Sequence, residues 1–290
     1  MKKYRAFLIA IIMFPLIAFG QQIKTVPIKS KYVDGRNIRI WLPADYSAKK
    51  KYAVLYMHDG QMLFDSTTTW NHQEWQLDET LDRLTKTKKM RDLIVVGIDN
   101  NGAKRLAEFF PQAVVGTVPQ PERAELDKLM PSGPIADNYL KFIVTELKPY
   151  IDANYSTYGD AAHTFIGGSS LGGMISLYAV CSYPQIFSGA FCMSTHWTGT
   201  FVQNTAIPDA MVNYLDKKLP STGGHRFYFD HGTITLDSLY APAQVKVDAL
   251  FKRKGYGSKN FKSLVFEGAS HSERDWAKRL DEVLVFLIGK

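Results

Sequence analysis

The segment Phe165-Ile-Gly-Gly-Ser-Ser-Leu-Gly-Gly-Met174 sets glycines on both sides of a serine pair, directly behind an apolar run. Such a run reads as a buried strand that turns tightly into a helix. A G-x-S-x-G pattern fits one register only, Gly168-Ser169-Ser170-Leu171-Gly172, because centring it on Ser169 puts the Leu171 side chain into the closing turn. In this register Ser170 takes a strained backbone conformation that lifts its hydroxyl above the sheet. Glycines two before and two after let the chain reverse without a clash. The hydroxyl also lies near the positive end of the following helix, which favours developing negative charge. Ser170 is therefore the candidate nucleophile. The competing reading, a flexible loop or a phosphate cradle, lacks the lysine that follows the glycines of a P-loop and the acidic residue of a dinucleotide fingerprint.

The rest of the chain arranges itself around this turn. Ile38 to Leu42 alternates as an edge strand does and is stopped by Pro43. Tyr52 to Met57 and Leu93 to Ile98 are continuous apolar runs, the mark of strands covered on both faces. Between them a helix carries Trp75, Leu81 and Leu84. An amphipathic helix over 138–154 leads to the strand at Thr164 to Ile166. Further strands are expected at Gly189 to Met193, Arg226 to Asp230 and Phe261 to Phe266. A helix over about 240 to 254 closes at Gly255, and a last helix starts after Ser272, whose spacing to Asp275 suits a capping box. Strands separated by helices predict an α/β domain with a mostly parallel central sheet and helices on both faces. Phe110 to Pro134 and Thr195 to Leu219 break this rhythm. Both follow strand ends, so they could form a lid or pocket wall, or plain surface loops.

Residues 1–20 read as an export signal: Lys2, Lys3 and Arg5, then an apolar run from Ala6 to Phe19, with Ala18-Phe-Gly20 before a cut. The run is short for a bilayer span, which needs about 20 residues. The expectation is a signal peptide over 1–20, a catalytic domain over 21–290, a secreted or periplasmic protein, and no stable membrane insertion after cleavage. The formal charge of +7 includes the three positives of the leader, and acidic residues are interspersed elsewhere, so no nucleic-acid surface is indicated. Cys181 and Cys192 fall in a buried helix and the next strand. Two buried thiols are expected, although an oxidising compartment permits a bridge.

A serine hydroxyl needs a base to take its proton and a third group to hold that base. In sheets of this kind the order is serine, acid, histidine, with the histidine on the loop after the last strand. Of seven histidines His271 meets that condition. His231 is a fallback, and His196 beside Trp197 could line the substrate pocket. The acid belongs after the penultimate strand, where Asp237 is the first carboxylate past the Gly232-Thr233 turn. The competing reading of Asp237 is a helix N-terminal aspartate, and Asp230 is the second choice for the acid. Backbone N–H donors for a tetrahedral oxyanion are expected at Leu171 and, from the loop Asp59-Gly60-Gln61, at Gln61. Trp70, Trp75 and Trp197 could stack a sugar or aryl group, or simply pack. Neither a metal nor an organic cofactor is expected.

Taken together, Tyr56-Met-His-Asp-Gly-Gln-Met-Leu-Phe64, Gly167-Gly-Ser-Ser-Leu-Gly-Gly173, Phe229-Asp-His-Gly-Thr233 and Glu267-Gly-Ala-Ser-His-Ser-Glu-Arg-Asp-Trp276 resemble the Putative esterase family of α/β-hydrolases over nearly all of the chain. That family includes esterase D, enterochelin esterases, the feruloyl and acetyl-xylan esterases of carbohydrate esterase family one, and mycolyltransferases. The resemblance implies an α/β-hydrolase fold, Ser170 as nucleophile, His271 as base and backbone donors at Gln61 and Leu171. It departs at the acid, since Ile234, Thr235 and Leu236 stand where the family often carries a carboxylate. The implied function is an exported serine carboxylesterase acting on a small-molecule or glycan ester, with acetyl or feruloyl esters of a carbohydrate the expected substrates. The alternatives are an acyltransferase to a sugar acceptor and a glycan-binding protein that has lost its chemistry. The oligomeric state is not legible.

Overall fold

The computed structural model describes residues 22–289; the expected signal at 1–20 lies outside them. Eight strands form one sheet: β1 (Gln22–Ile28), β2 (Arg36–Leu42), β3 (Ala53–His58), β4 (Leu93–Ile98), β5 (Thr164–Ser169), β6 (Gly189–Met193), β7 (Arg226–His231) and β8 (Phe261–Val265). Their order is β1-β2-β4-β3-β5-β6-β7-β8. β1 and β2 are antiparallel to each other and β2 to β4, and the rest are parallel. The mostly parallel sheet thus matches the expectation, with β1 an additional edge strand.

Alternation along each inner strand divides the core in two. Val54 and Tyr56 of β3 and Phe227 and Phe229 of β7 face one cluster. Leu55 and Met57, with Tyr228 between the two phenylalanines, face the other. The helices Leu171–Ser182, Ala206–Lys218 and Ala241–Arg253 and the rod from Ala136 to Asn154 cover the first face. Leu77–Lys86 and Leu280–Ile288 cover the second. Trp75 precedes its helix rather than lying in it. The rod contains a π segment, Ile143–Leu147, just before Pro149. Proline lacks the N–H that would bond one turn back, and the widened turn accommodates its ring.

The irregular stretch at 110–134 is packed rather than loose. It contains the short helices Gln112–Val115 and Glu122–Leu129, and it buries Phe110, Val114, Val115, Val118, Leu126 and Met130 in the first cluster. Cys181 and Cys192 are buried free thiols. Among the described residues no helix is long and apolar enough to cross a membrane.

The order β4-β3-β5 decides where a site can form. The chain steps outward from β3 to β4, then returns past β3 to add β5, β6, β7 and β8 on the other side. Winding therefore reverses at β3, and a crevice opens beyond the carboxyl ends of β3 and β5.

Candidate active site

A cavity of about 730 Å³ lies there, lined on one side by Asp59, Gln61, Asn100 and Arg105, on another by Ser169 and Ser170, and on a third by His271, Ser272, Glu273 and Trp276. Asn71, Gln73, Trp70 and Trp75 complete its rim.

Ser170 caps the helix Leu171–Ser182 with φ 58° and ψ −125°, a conformation rare for any residue but glycine. Its N–H donates to the Met193 carbonyl at 2.9 Å, which pins the turn to the end of β6. A Cβ on Gly168 would sit 3.2 Å from the Gly172 backbone, and one on Gly172 would sit 3.3 Å from His58 Cβ. The glycines thus permit the close crossing on which the turn depends. Leu171 occupies the first helical position, where the N–H has no acceptor within the helix.

The loops after β7 and β8 latch onto each other. Thr233 and Ile234 N–H both donate to the Ala269 carbonyl, and Gly268 N–H donates to Thr233 Oγ1. Gly232 packs so closely that an added Cβ would lie 2.0 Å from Ala269 O. Thr235 turns through φ 55°, and its Oγ1 accepts from His271 N–H at 2.8 Å. This brings Asp237 Oδ1 within 2.6 Å of His271 Nδ1. Asp237 is fully buried, and its Oδ2 accepts from Ser194 Oγ and from Gly232 N–H, each at 2.6 Å. Burial alone would raise the Asp237 pKa, but the bonds from His271, Ser194 and Gly232 outweigh it and hold the carboxyl below its ordinary value. Asp237 lies in the first turn of a short 3-10 helix, Thr235–Leu239, without capping it. Asp230 does not meet His271. It is buried beside Tyr228 and Arg279.

On the third side, Asp59 adopts φ 58°, and Gly60 lies so close to β4 that a Cβ there would be 2.6 Å from the Gly97 carbonyl carbon. Arg105 grips Asp59 through two bonds of 2.7 Å, Asn100 Nδ2 donates to it at 2.6 Å, and Asn100 N–H donates to Gln61 Oε1 at 3.0 Å. The Gln61 backbone is thereby fixed at the cavity edge. His58 is buried against Tyr139, and burial pushes its pKa down to about 3, which keeps it neutral.

Two expectations fail. Trp197 does not line the cavity: it is 1% exposed, stacks on Phe229 and donates to Gln244 Oε1 at 2.9 Å, because the left-handed turn at Ser194 (φ 44°) sends the chain inward. His196 is also no pocket wall. It lies buried behind Ser170, its backbone N–H donates to the Ser170 carbonyl at 3.2 Å, and its Nδ1 is 2.8 Å from the Tyr240 hydroxyl. The Tyr240 hydroxyl also lies close to the Ser170 side chain. Among the described residues no hydrogen bond joins Ser170 to His271, a bond that commonly forms only once substrate is present. Nor do residues 110–134 line this cavity.

Arg105, Glu273, Trp276 and Tyr240 were not singled out from sequence. Their signal lay in position alone: each follows a strand end or begins the next helix on the carboxyl side of the sheet. Among the described residues no group of three or more His, Cys, Asp and Glu is arranged to hold a metal.

Comparisons with known proteins agree with the fold. A Bacillus subtilis (strain 168) protein, YbbA, is 22% identical over 262 residues, spanning 88% of this chain and 93% of its own. A ferulic acid esterase superposes with a TM-score of 0.68 at 18% identity over 93% of this chain and 98% of its own. The enterochelin esterase of Shigella flexneri gives 0.67 at 17% identity over 94% of this chain, which spans 59% of that protein. These likenesses establish the α/β-hydrolase fold. The model of the family described as Putative esterase matches residues 32–287, and the chain belongs to that family of ester-hydrolysing serine hydrolases.

Proposed function

We propose that Ser170, His271 and Asp237 act as a catalytic triad on an acyl ester of a carbohydrate, in a protein exported through its leader. The observation that carries the reading is the 2.6 Å contact of Asp237 with His271 Nδ1, which leaves the far side of the imidazole to the cavity that Ser170 also lines. Ser170 Oγ attacks the ester carbonyl as His271 Nε2 takes its proton. The carbonyl oxygen gains negative charge and takes the N–H groups of Leu171 and Gln61. His271 then gives its proton to the departing alcohol. Water, deprotonated by the same nitrogen, releases the acid from Ser170.

Three features of the cavity support a carbohydrate ester. Its rim is rich in side-chain amides, Gln61, Asn71, Gln73 and Asn100, which suit hydroxyl groups. Trp70 is 84% exposed at the mouth, an amphipathic ring free to stack on a sugar or aryl group. The ferulic acid esterase shares the fold over nearly the whole chain. The test is hydrolysis of an aryl acetate and a feruloyl sugar ester by the mature chain beside its Ser170→Ala and His271→Ala variants. Losses of about a thousandfold or more in both are expected. Unchanged turnover in Ser170→Ala would refute the assignment, and product transferred to an added sugar would make the enzyme an acyltransferase.

A further inference from the structure

Around Asp237, four buried polar side chains take no part in the steps above: Ser194, Asp230, Arg279 and Trp276, whose ring also packs edge-on against His271. The directions of their hydrogen bonds are fixed by chemistry. Trp276 Nε1 and Arg279 Nη2 each lie 2.9 Å from Ser194 Oγ, and both can only donate. A hydroxyl has two lone pairs and one hydrogen. With both lone pairs occupied, the Ser194 hydrogen goes to Asp237 Oδ2 at 2.6 Å. That oxygen also takes the Gly232 N–H, so it has no place for a proton, and Oδ1 is left facing His271 Nδ1. The imidazole must then carry its hydrogen on Nδ1 and its lone pair on Nε2.

Arg279 is itself held. Its Nη2 lies 3.0 Å from Asp230 Oδ1 and 3.9 Å from Asp237 Oδ2, and Tyr228 donates to Asp230 Oδ2 at 3.0 Å. Two buried carboxylates therefore share one cation. Ser194 is anchored to the same strand, since its N–H donates to the Asp230 carbonyl at 2.7 Å. The ionisable groups around Asp230 are Arg279, Asp237, Tyr228 and Cys192. Burial raises Asp230 to about 6 despite Arg279 and Tyr228.

We propose that Ser194 and Arg279 are positioning residues for the esterase reaction: Arg279, held by Asp230, orients the Ser194 hydroxyl, and Ser194 keeps Asp237 ionised with its free oxygen on His271. This rests on the triad reading. Each of the four residues is ordinary taken singly, and the role arises from the one-way sequence of donors that ends at the imidazole.

The test uses the full mature chain with Ser194→Ala, Arg279→Met and Arg279→Lys, read by kcat/KM against pH on an aryl acetate and by thermal unfolding. Loss of the Ser194 donor makes Asp237 more basic, which favours the imidazolium, so the acid limb of kcat/KM moves to higher pH. The expected result for Ser194→Ala is a fall of about tenfold or more near neutral pH together with that shift. Arg279→Met follows in the same direction, and Arg279→Lys, which retains a cation, recovers part of the rate. Variants that melt earlier but keep the parent's kcat/KM and acid limb would overturn the proposal and make the network structural only. Asp237→Asn distinguishes the two failures. If it too keeps its rate, the triad reading falls. If it loses activity while Ser194→Ala does not, only the positioning role falls.

Discussion

Replacing Asp237 with asparagine tests the site through a substitution that scarcely changes shape. Two donors converge on Oδ2, Ser194 O–H and Gly232 N–H, both at 2.6 Å, so the amide must turn its carbonyl oxygen toward them. Its NH2 then faces His271 Nδ1 at the position Oδ1 held, 2.6 Å away. Two donors cannot share that contact, and the imidazole shifts its hydrogen to Nε2, the nitrogen that takes the Ser170 proton in the proposed triad. The opposite amide orientation would set NH2 against two donors instead of one, so it offers no escape. A wrong tautomer of this kind costs about ten-thousandfold in a serine hydrolase, or about 5.5 kcal/mol at the barrier. The assay is kcat/KM on an aryl acetate, with Ser170→Ala as the floor. Thermal unfolding is measured alongside, because asparagine keeps the Ser194 and Gly232 bonds and should melt near the parent. Asp237→Ala, by contrast, strands both buried donors and costs about 1–3 kcal/mol for each. An Asp237→Asn variant that keeps more than about a tenth of the parent rate would refute the assignment of Asp237 as the acid.

Ser170→Gly relieves the backbone strain at φ 58°, ψ −125° and should raise stability by about 1 kcal/mol while abolishing turnover; denaturant melts of the two chains check it. Trp70→Ala removes an 84% exposed ring, so stability should move by less than about 0.5 kcal/mol. KM for a feruloyl sugar ester should rise with kcat little changed, and an unaltered KM excludes Trp70 from binding. Burial pushes His58 and His196 down to about 3, whereas the unfolded chain protonates histidine near about 6.5. The unfolded state therefore binds more protons between those values. The stabilisation is complete above the unfolded pKa and is lost as the pH falls toward 3. Melts across this range should show a steep decline that a His58→Asn, His196→Asn double variant flattens.

What could be read from the sequence is what backbone sterics and two-sided burial dictate. β4 is apolar throughout and β3 up to its last residue, His58, and the range of β4 agrees with the sequence pattern to the residue. Ser170 and Gly168 are bound to the turn by contacts that leave no room for another register. His271 stands on the loop after the last strand, where topology predicts it. β1 was missed because Gln-Ile-Lys-Thr-Val-Pro-Ile is an exposed edge strand with Lys24 and Pro27 in it, and nothing in its pattern demands a sheet.

The misreadings have a different cause. Position after a strand end says that a residue is near the crevice, but not which way it points. For Trp197 position alone suggests a pocket wall, yet the left-handed turn at Ser194 and a buried acceptor on Gln244 direct it to the core. Arg105 shows the converse. It reaches the cavity because Asp59, in its own left-handed conformation, needs a cation. Burying that carboxylate without Arg105 would leave an uncompensated charge, costing about 3–5 kcal/mol. The same reasoning separates Asp230 from Asp237, which are seven residues apart and equally buried. One is answered by Arg279 and a tyrosine, the other by three hydrogen bonds that end on an imidazole. Only the second bonds the imidazole that faces the cavity, so it is the surroundings of the carboxylate rather than its position in the chain that set Asp237 apart from Asp230.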